Sequence, residues 1–262
     1  MNSAKVYNSF CFLDSLSVVY VDSLKGADIA HCGLYRKQPC QNIRQAINRV
    51  HNGGVVHLIG DHVINETISL KKNISITTSS LDRGRISGMH ACEYAFGVEK
   101  KIMLRLSNIH FQSVGVIDMI TASTLSTHNI YVSDCKGSIF NLTSLGNSSG
   151  HLSISQSSFT NTGLLVTHPF TSNIQSFTIN ITNSIFKNIS GMDLSSVEDI
   201  NIENFCGQHP TNRCGDRRYS YPKRWKRQYS QLNVQTISTS GRTLTALHQK
   251  YAHCFCDVVP IQ

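Results

Sequence analysis

Leu152-Ser-Ile-Ser-Gln-Ser-Ser-Phe159 and, 27 residues further on, Ile179-Asn-Ile-Thr-Asn-Ser-Ile-Phe186 put apolar side chains at matching places. Within each stretch Leu152 and Ile154, or Ile179 and Ile181, share one face, while Ser153, Asn180 and Thr182 take the other, the period-2 alternation of a strand. Three more segments align with these two: Ser107-Asn-Ile-His-Phe111, Ile130-Tyr-Val-Ser-Asp-Cys135 and Ile200-Asn-Ile-Glu-Asn-Phe205. The alignment places Phe111, Cys135, Phe159, Phe186 and Phe205 in one register, at intervals of 24, 24, 27 and 19 residues. Gly115, Gly137, Gly163 and Gly191 follow most of these anchors and open the next strand. A repeat of this length, built of short strands and polar turns, predicts the coils of a parallel β-helix with inward Ile, Leu, Val and Phe stacked about 4.8 Å apart. A β-sandwich with strands at similar spacing is the competing architecture. The interval is long for a hairpin, and Asn-Gly turns are rare here.

Upstream of the repeats, Val18–Val21 reads as a short strand. Ile43, Ala46, Ile47 and Val50 then fall at i, i+3, i+4 and i+7 of a helix over 42–50, stopped by Asn52-Gly-Gly54. A solenoid cannot end bare, because its terminal coil would expose apolar interior and unpaired backbone. Helix 42–50 is therefore expected to cap the N-terminal end. The expected organisation is an extension over 1–17, a β-helix over 18–206, and a basic, Cys-containing tail over 207–262.

Ser and Thr total 51 residues, with 20 Asn and 17 Gly, a mixture that favours strands and turns over exposed helices. Of the net charge of +8, a block comprising Arg213, Arg217, Arg218, Lys223, Arg224, Lys226 and Arg227 against Asp216 carries six. The basic pI thus describes one segment and implies no nucleic-acid footprint over the whole surface. Nine cysteines are many for a reducing compartment. Cys32 with Cys40 and Cys206 with Cys214 would each close a short polar loop, with reduced thiols or metal ligands as the alternative. N-x-S/T sequons occur at Asn65, Asn73, Asn141, Asn147, Asn180 and Asn188, and Asn73, Asn141 and Asn180 fall in the outward phase of their strands. No apolar run approaches the ~18 residues of a membrane span. A signal peptide is not visible, so export would imply that Met1 is an internal or misassigned start.

The opening Val19-Tyr-Val-Asp-Ser-Leu-Lys-Gly26, with His31-Cys-Gly33, Pro39-Cys-Gln-Asn-Ile-Arg-Gln-Ala-Ile47 and Gly53-Gly-Val-Val-His-Leu-Ile-Gly60, resembles the first module of pectin-lyase-like right-handed β-helix proteins. More narrowly, it is similar to animal secreted β-helix proteins that resemble chlamydial polymorphic outer-membrane proteins. The likeness covers about residues 18–206. It implies export or surface display and, in many relatives, no catalysis.

Many proteins of such a fold cleave polysaccharides, which requires paired carboxyls at a defined separation or acids holding Ca²⁺ beside an Arg base. In the repeats the acids read as Asp118, Asp134, Asp193, Glu198, Asp199 and Glu203. Asp118 and Asp193, the pair in phase, are expected three coils apart, roughly 14 Å. His128, His151 and His168 could line one face, without the spacing of a metal site. No catalytic residue, metal or cofactor is therefore expected. Arg224-Trp-Lys-Arg227 fits a dibasic processing pattern and could equally bind sulfated glycan or anionic lipid. The expected function is glycan or protein binding, or adhesion, by a secreted or cell-surface chain that is a monomer or part of a longer protein. A polysaccharide lyase or hydrolase is the alternative.

Overall fold

The computed structural model describes residues 16–79, 82, 84–88, 94–120, 123–143, 150–167, 177–191, 197–203, 206–207 and 218–220. The chain enters through β1 (Leu16–Asp22), the helix α1 (Ile43–Arg49) and β2 (Val50–Ile59). It then winds through β3 (Asp61–Ile64), β4 (Ile68–Leu70), β5 (Ile74–Thr77), β6 (Arg85–Gly88), β7 (Tyr94–Val98), β8 (Met103–Ser107), β9 (His110–Gln112) and β10 (Gly115–Ile120). The later coils comprise β11 (Thr124–His128), β12 (Tyr131–Ser133), β13 (Phe140–Thr143), β14 (Gly150–Ser155), β15 (Ser158–Leu164), β16 (Val166–Thr167), β17 (Phe177–Thr182) and β18 (Ile185–Gly191). Last come β19 (Val197–Glu203), β20 (Cys206–Gly207) and β21 (Arg218–Ser220).

From β2 to β18 every third strand joins the same sheet, so the fold is a right-handed parallel β-helix with three faces. The first sheet runs β1-β2-β5-β8-β11-β14-β17-β19-β21, the second β20-β18-β15-β12-β9-β6-β3 and the third β16-β13-β10-β7-β4. All pairings are parallel except β19 with β21, which disposes of the sandwich alternative.

Inward side chains form columns. In the first sheet Val56, Ile76, Leu106, Thr127, Ile154, Ile181 and Ile202 are successive partners. In the third they are Ile68, Phe96, Ile117, Phe140 and Val166. The second-sheet column reads His62, Ile86, Phe111, Val132, Phe159, Phe186 and Gly207.

That last column corrects two of the five expected anchors. Val132, not Cys135, stands between Phe111 and Phe159, and Gly207 rather than Phe205 follows Phe186. The even 24-residue spacing fails because coil length varies at the turns. Asp134 bends the chain in the left-handed region at φ 59°, so Cys135 falls past the second-sheet strand, where it is buried near the corner. Phe205 itself lies outside the described residues.

Both short corners are built on one left-handed residue per coil: Asn108, Asn129, Gln156 and Asn183 at the first, Ser113, Asp134, Asn161 and Asn188 at the second. Asn and Asp tolerate this conformation because their short side chains bond locally. Here the amides form ladders: Asn129 Nδ2 donates to Asn108 Oδ1 at 2.9 Å, and Asn188 Nδ2 to Asn161 Oδ1 at 3.0 Å. The high Asn content thus has a structural use.

Helix α1 begins at the N-cap Asn42, whose side chain accepts from Arg44 N at 2.8 Å. It buries Ile43, Ala46 and Ile47 and packs against β1 and β2, at the β1 end of the first sheet. Cys32 and Cys40 are disulfide-bonded. Cys40 N donates to Tyr20 O and Asp22 N to Cys40 O, both at 2.9 Å, pinning the bridge to β1. Among the described residues, no helix is long and apolar enough to cross a membrane.

Candidate functional site: a polar groove along the first corner

A groove of about 650 Å³ follows the corner between the first and second sheets. Its size falls in the ~300–1,000 Å³ range of small-ligand clefts. Asp61, Arg85, His110 and Tyr131 line it as one row, because they are register partners on β3, β6, β9 and β12 and so stack outward on successive coils. The corner residues Asn108, Ile109 and Asn129 and the loop residues Ser79 and Gly84 complete it.

The row is internally satisfied in its charges. Arg85 forks onto Asp61, Nε to Oδ1 at 3.1 Å and Nη2 to Oδ2 at 2.5 Å, while Nη1 donates to Gln112 Oε1 at 3.1 Å. The His110 and Tyr131 rings lie 4.6 Å apart at 53°, and Ser133 Oγ is 3.1 Å from His110 Nε2. Burial, helped by the Arg85 charge, lowers the His110 pKa against the opposing pull of Asp134 and Asp61. The shift favours the neutral imidazole. Tyr131 stays 40% exposed and offers its ring to solvent.

Beside the groove, buried Asp82 accepts from Ser79 Oγ at 2.6 Å and from His57 Nε2 at 2.8 Å, and pairs with Arg36. Burial pushes its carboxyl pKa up, but those two hydrogen bonds and the Arg36 charge outweigh it, leaving it below the ordinary carboxylate value. Ser79, His57 and Asp82 do not form a nucleophilic relay. In such a relay the base stands between hydroxyl and carboxylate; here hydroxyl and imidazole both end on Asp82 Oδ2. Ser23 Oγ also donates to Asp61 O, so the disulfide-braced loop is tied to the groove at two points, through Ser23 and Arg36.

Sequence reasoning missed this site. Its search for acids passed over Asp61 and Asp82, which stand in ion pairs with Arg85 and Arg36. One signal was present: His57 lies in β2, Arg85 opens β6 and Asp82 falls just before it, all in the first coils. Nothing in linear spacing joins Asp61 to Tyr131.

The structure places the expected residues as follows. Asn65 and Asn188 are exposed, and Asn73, Asn141 and Asn180 half-buried on outward positions. Asn141 Nδ2 donates to Asp118 Oδ1 at 3.0 Å, Asn73 Oδ1 accepts from Met103 N at 2.8 Å, and Asn180 Oδ1 from Asn201 Nδ2 at 3.4 Å. Asn147, Asp193, His168, Cys214, Arg224, Lys226 and Arg227 lie outside the described residues, and of Cys206 only the backbone is described. His128 and His151 share the outer face of the first sheet but pair with Ser155 and Thr124, at opposite ends of their strands. Asp28 approaches Cys32 and Cys40 closely enough to suggest a metal site. Those sulfurs are bonded to each other, however, and Asp28 Oδ1 accepts from Gln41 N at 2.9 Å and Asn42 N at 3.1 Å.

No protein-family model matches the chain, and no curated protein matches it. Among solved structures the chain is similar to pectin methylesterase PemA from Erwinia chrysanthemi, with 12% identity over 78% of this chain and 75% of that one, at a TM-score of 0.26. A likeness this distant transfers no chemistry.

Proposed function

We propose that this chain is a secreted or cell-surface β-helix that binds glycan in the corner groove without cleaving it. The observation that carries the reading is the composition of the groove: an exposed aromatic ring tilted against a second ring, amide side chains, and an ion pair already satisfied within the protein. An aromatic ring with a polar tip suits the apolar face and hydroxyl rim of a sugar. The buried Cys32–Cys40 bridge and the outward sequon asparagines support an oxidising, glycosylating route. So does the resemblance of the opening module to animal secreted β-helices. Residues 224–227, as a processing or anion-binding segment, would belong to the same setting.

The lyase or hydrolase alternative draws no support from the groove. Asp61 is the one acid among its described lining residues, and both its oxygens are engaged by Arg85, whereas glycoside hydrolysis by the usual route needs two carboxyls flanking the bond. The test is NMR titration of the secreted, folded protein with a mixed panel of oligosaccharides, alongside assays for new reducing ends and unsaturated products. Shifts at the residues around Tyr131 with no product support the reading. Product formation that Tyr131→Ala diminishes would replace it with the enzyme.

A further inference from the structure

We infer that the groove selects uncharged oligosaccharides and turns away uronic-acid and sulfated ones. This deepens the glycan-binding reading and rests on it.

An anionic sugar needs a cation whose donors are free to meet it, because a carboxylate stripped of water without such a partner is strongly disfavoured. The groove has one guanidinium, Arg85, whose charge is already offset by Asp61 and three of whose five N–H donors serve Asp61 and Gln112. Asp61 would moreover repel an incoming carboxylate at the same spot. Arg36, the cation on the adjoining loop, is likewise paired with Asp82. Burial and the neighbouring Arg85 charge lower the His110 pKa and so disfavour a positive charge there.

What the groove does offer suits hydroxyl groups. Tyr131 presents a 40% exposed ring and a phenolic group to which no partner is assigned among the described residues. Asn129 spends its amide nitrogen on Asn108 Oδ1, which leaves its carbonyl oxygen to accept. Because Asp61, Arg85, His110 and Tyr131 sit on four consecutive coils, the row runs along the helix axis for three inter-strand steps, roughly 14 Å. That length accommodates a short chain of sugars better than a single ring.

The experiment is calorimetric titration of the whole protein with neutral gluco-, manno- and chito-oligosaccharides and, separately, with oligogalacturonate and a heparin fragment, at low and physiological salt. The expected result is binding of at least one neutral hexamer, insensitive to salt and weakened tenfold or more by Tyr131→Ala, with no binding of the acidic probes that Tyr131→Ala weakens. Any salt-sensitive binding of them is left unchanged by that substitution, because it belongs to the basic block at 213–227. Asp61→Asn frees Arg85 and is expected to confer salt-sensitive oligogalacturonate binding. Acidic probes that bind the unmodified protein in a Tyr131-dependent way would overturn the inference and leave the glycan reading standing. Neutral binding indifferent to Tyr131→Ala would move the site elsewhere and overturn it too. Silence from every probe would sink the glycan reading itself.

Discussion

Phe159 and Phe186 stack face to face, ring centroids 5.0 Å apart and planes within 5°, one coil above the other. They are register partners, and Phe140 from the third sheet meets Phe159 edge-on at 6.1 Å. This is where the inward columns of two sheets interlock.

Phe159→Ala should therefore remove contacts to both the next coil and the neighbouring face. Both rings are fully buried, so the loss should be about 3–5 kcal/mol, as for other large-to-small core substitutions. Urea unfolding followed by far-UV circular dichroism checks it. A change below about 1 kcal/mol would mean that the column does not bear on stability.

The alternation that predicts this stack was legible because it is local. Leu152 with Ile179, and Ile154 with Ile181, pair as their spacing implies. Cys135 and Phe205 were misplaced because register is decided by turn length, and the coil from Phe111 to Val132 is shorter than its neighbours. The groove was illegible for a different reason. It takes one residue from each of four coils, and an acid, a guanidinium, an imidazole and a phenol share no periodic signature. Only stacking makes them adjacent.

His62 occupies the first position of the second-sheet column, paired with Ile86 and 3% exposed, with no partner for Nε2 among the described residues. Burial lowers its pKa more than Asp22, the Ile59 carbonyl and Asp61 raise it. An imidazole harder to protonate in the fold than in the unfolded chain takes stability away as pH falls below about 6.5, where the unfolded chain binds the proton first. Unfolding free energy should thus drop between pH 7.5 and pH 5. His62→Leu, which continues the apolar column, should flatten that drop in part, His110 contributing the same sign. Parallel pH profiles for the two proteins would refute the assignment.

Asp82 titrates the other way. Its carboxyl is held below the ordinary value of about 3.9, so its ionised form stabilises the fold above that pH. The contribution is lost as pH falls through the folded value. Asp82→Asn should be destabilising by on the order of 2 kcal/mol at pH 6, the scale of hydrogen bonds to a buried charged group. The gap from the unsubstituted protein should narrow below pH 4. Denaturant titrations at several pH values measure it, and a gap constant with pH would show that the charge of Asp82 is immaterial.

The Cys32–Cys40 bridge closes a loop with a sequence separation of 8. Chain-entropy arguments give about 2–3 kcal/mol for a loop this short. Since both cysteines are fully buried, dithiothreitol should leave the bridge intact in the native protein and open it only on unfolding, a behaviour read by alkylation and mass spectrometry. Replacing both with Ser should lower stability by that amount. It should also loosen the loop carrying Arg36, visible as faster amide exchange over residues 23–40. Ready alkylation of the native protein would contradict the burial.

Gly163 separates two kinds of glycine requirement. A Cβ there would come 2.3 Å from Gly137 O and 2.5 Å from Lys136 O, both backbone atoms of the coil before, and Gly163 N donates to Cys135 O at 2.6 Å. Its backbone is not in the left-handed region, so the constraint is space between coils. Side chains could rotate away from such a clash, but carbonyls fixed in a corner cannot. Gly163→Ala should therefore force the coils apart and cost about 3 kcal/mol or more, at the upper end for overpacking. Gly53→Ala meets nothing within 4 Å but demands φ 86° of an alanine, which should cost about 1–2 kcal/mol from torsion alone. Gly97→Ala needs only a small shift of Thr67 Cγ2, 3.3 Å away, and should stay within ~1 kcal/mol. Thermal unfolding of the three variants orders them directly. If Gly163→Ala were the mildest, the close backbone approach at this corner would be wrong.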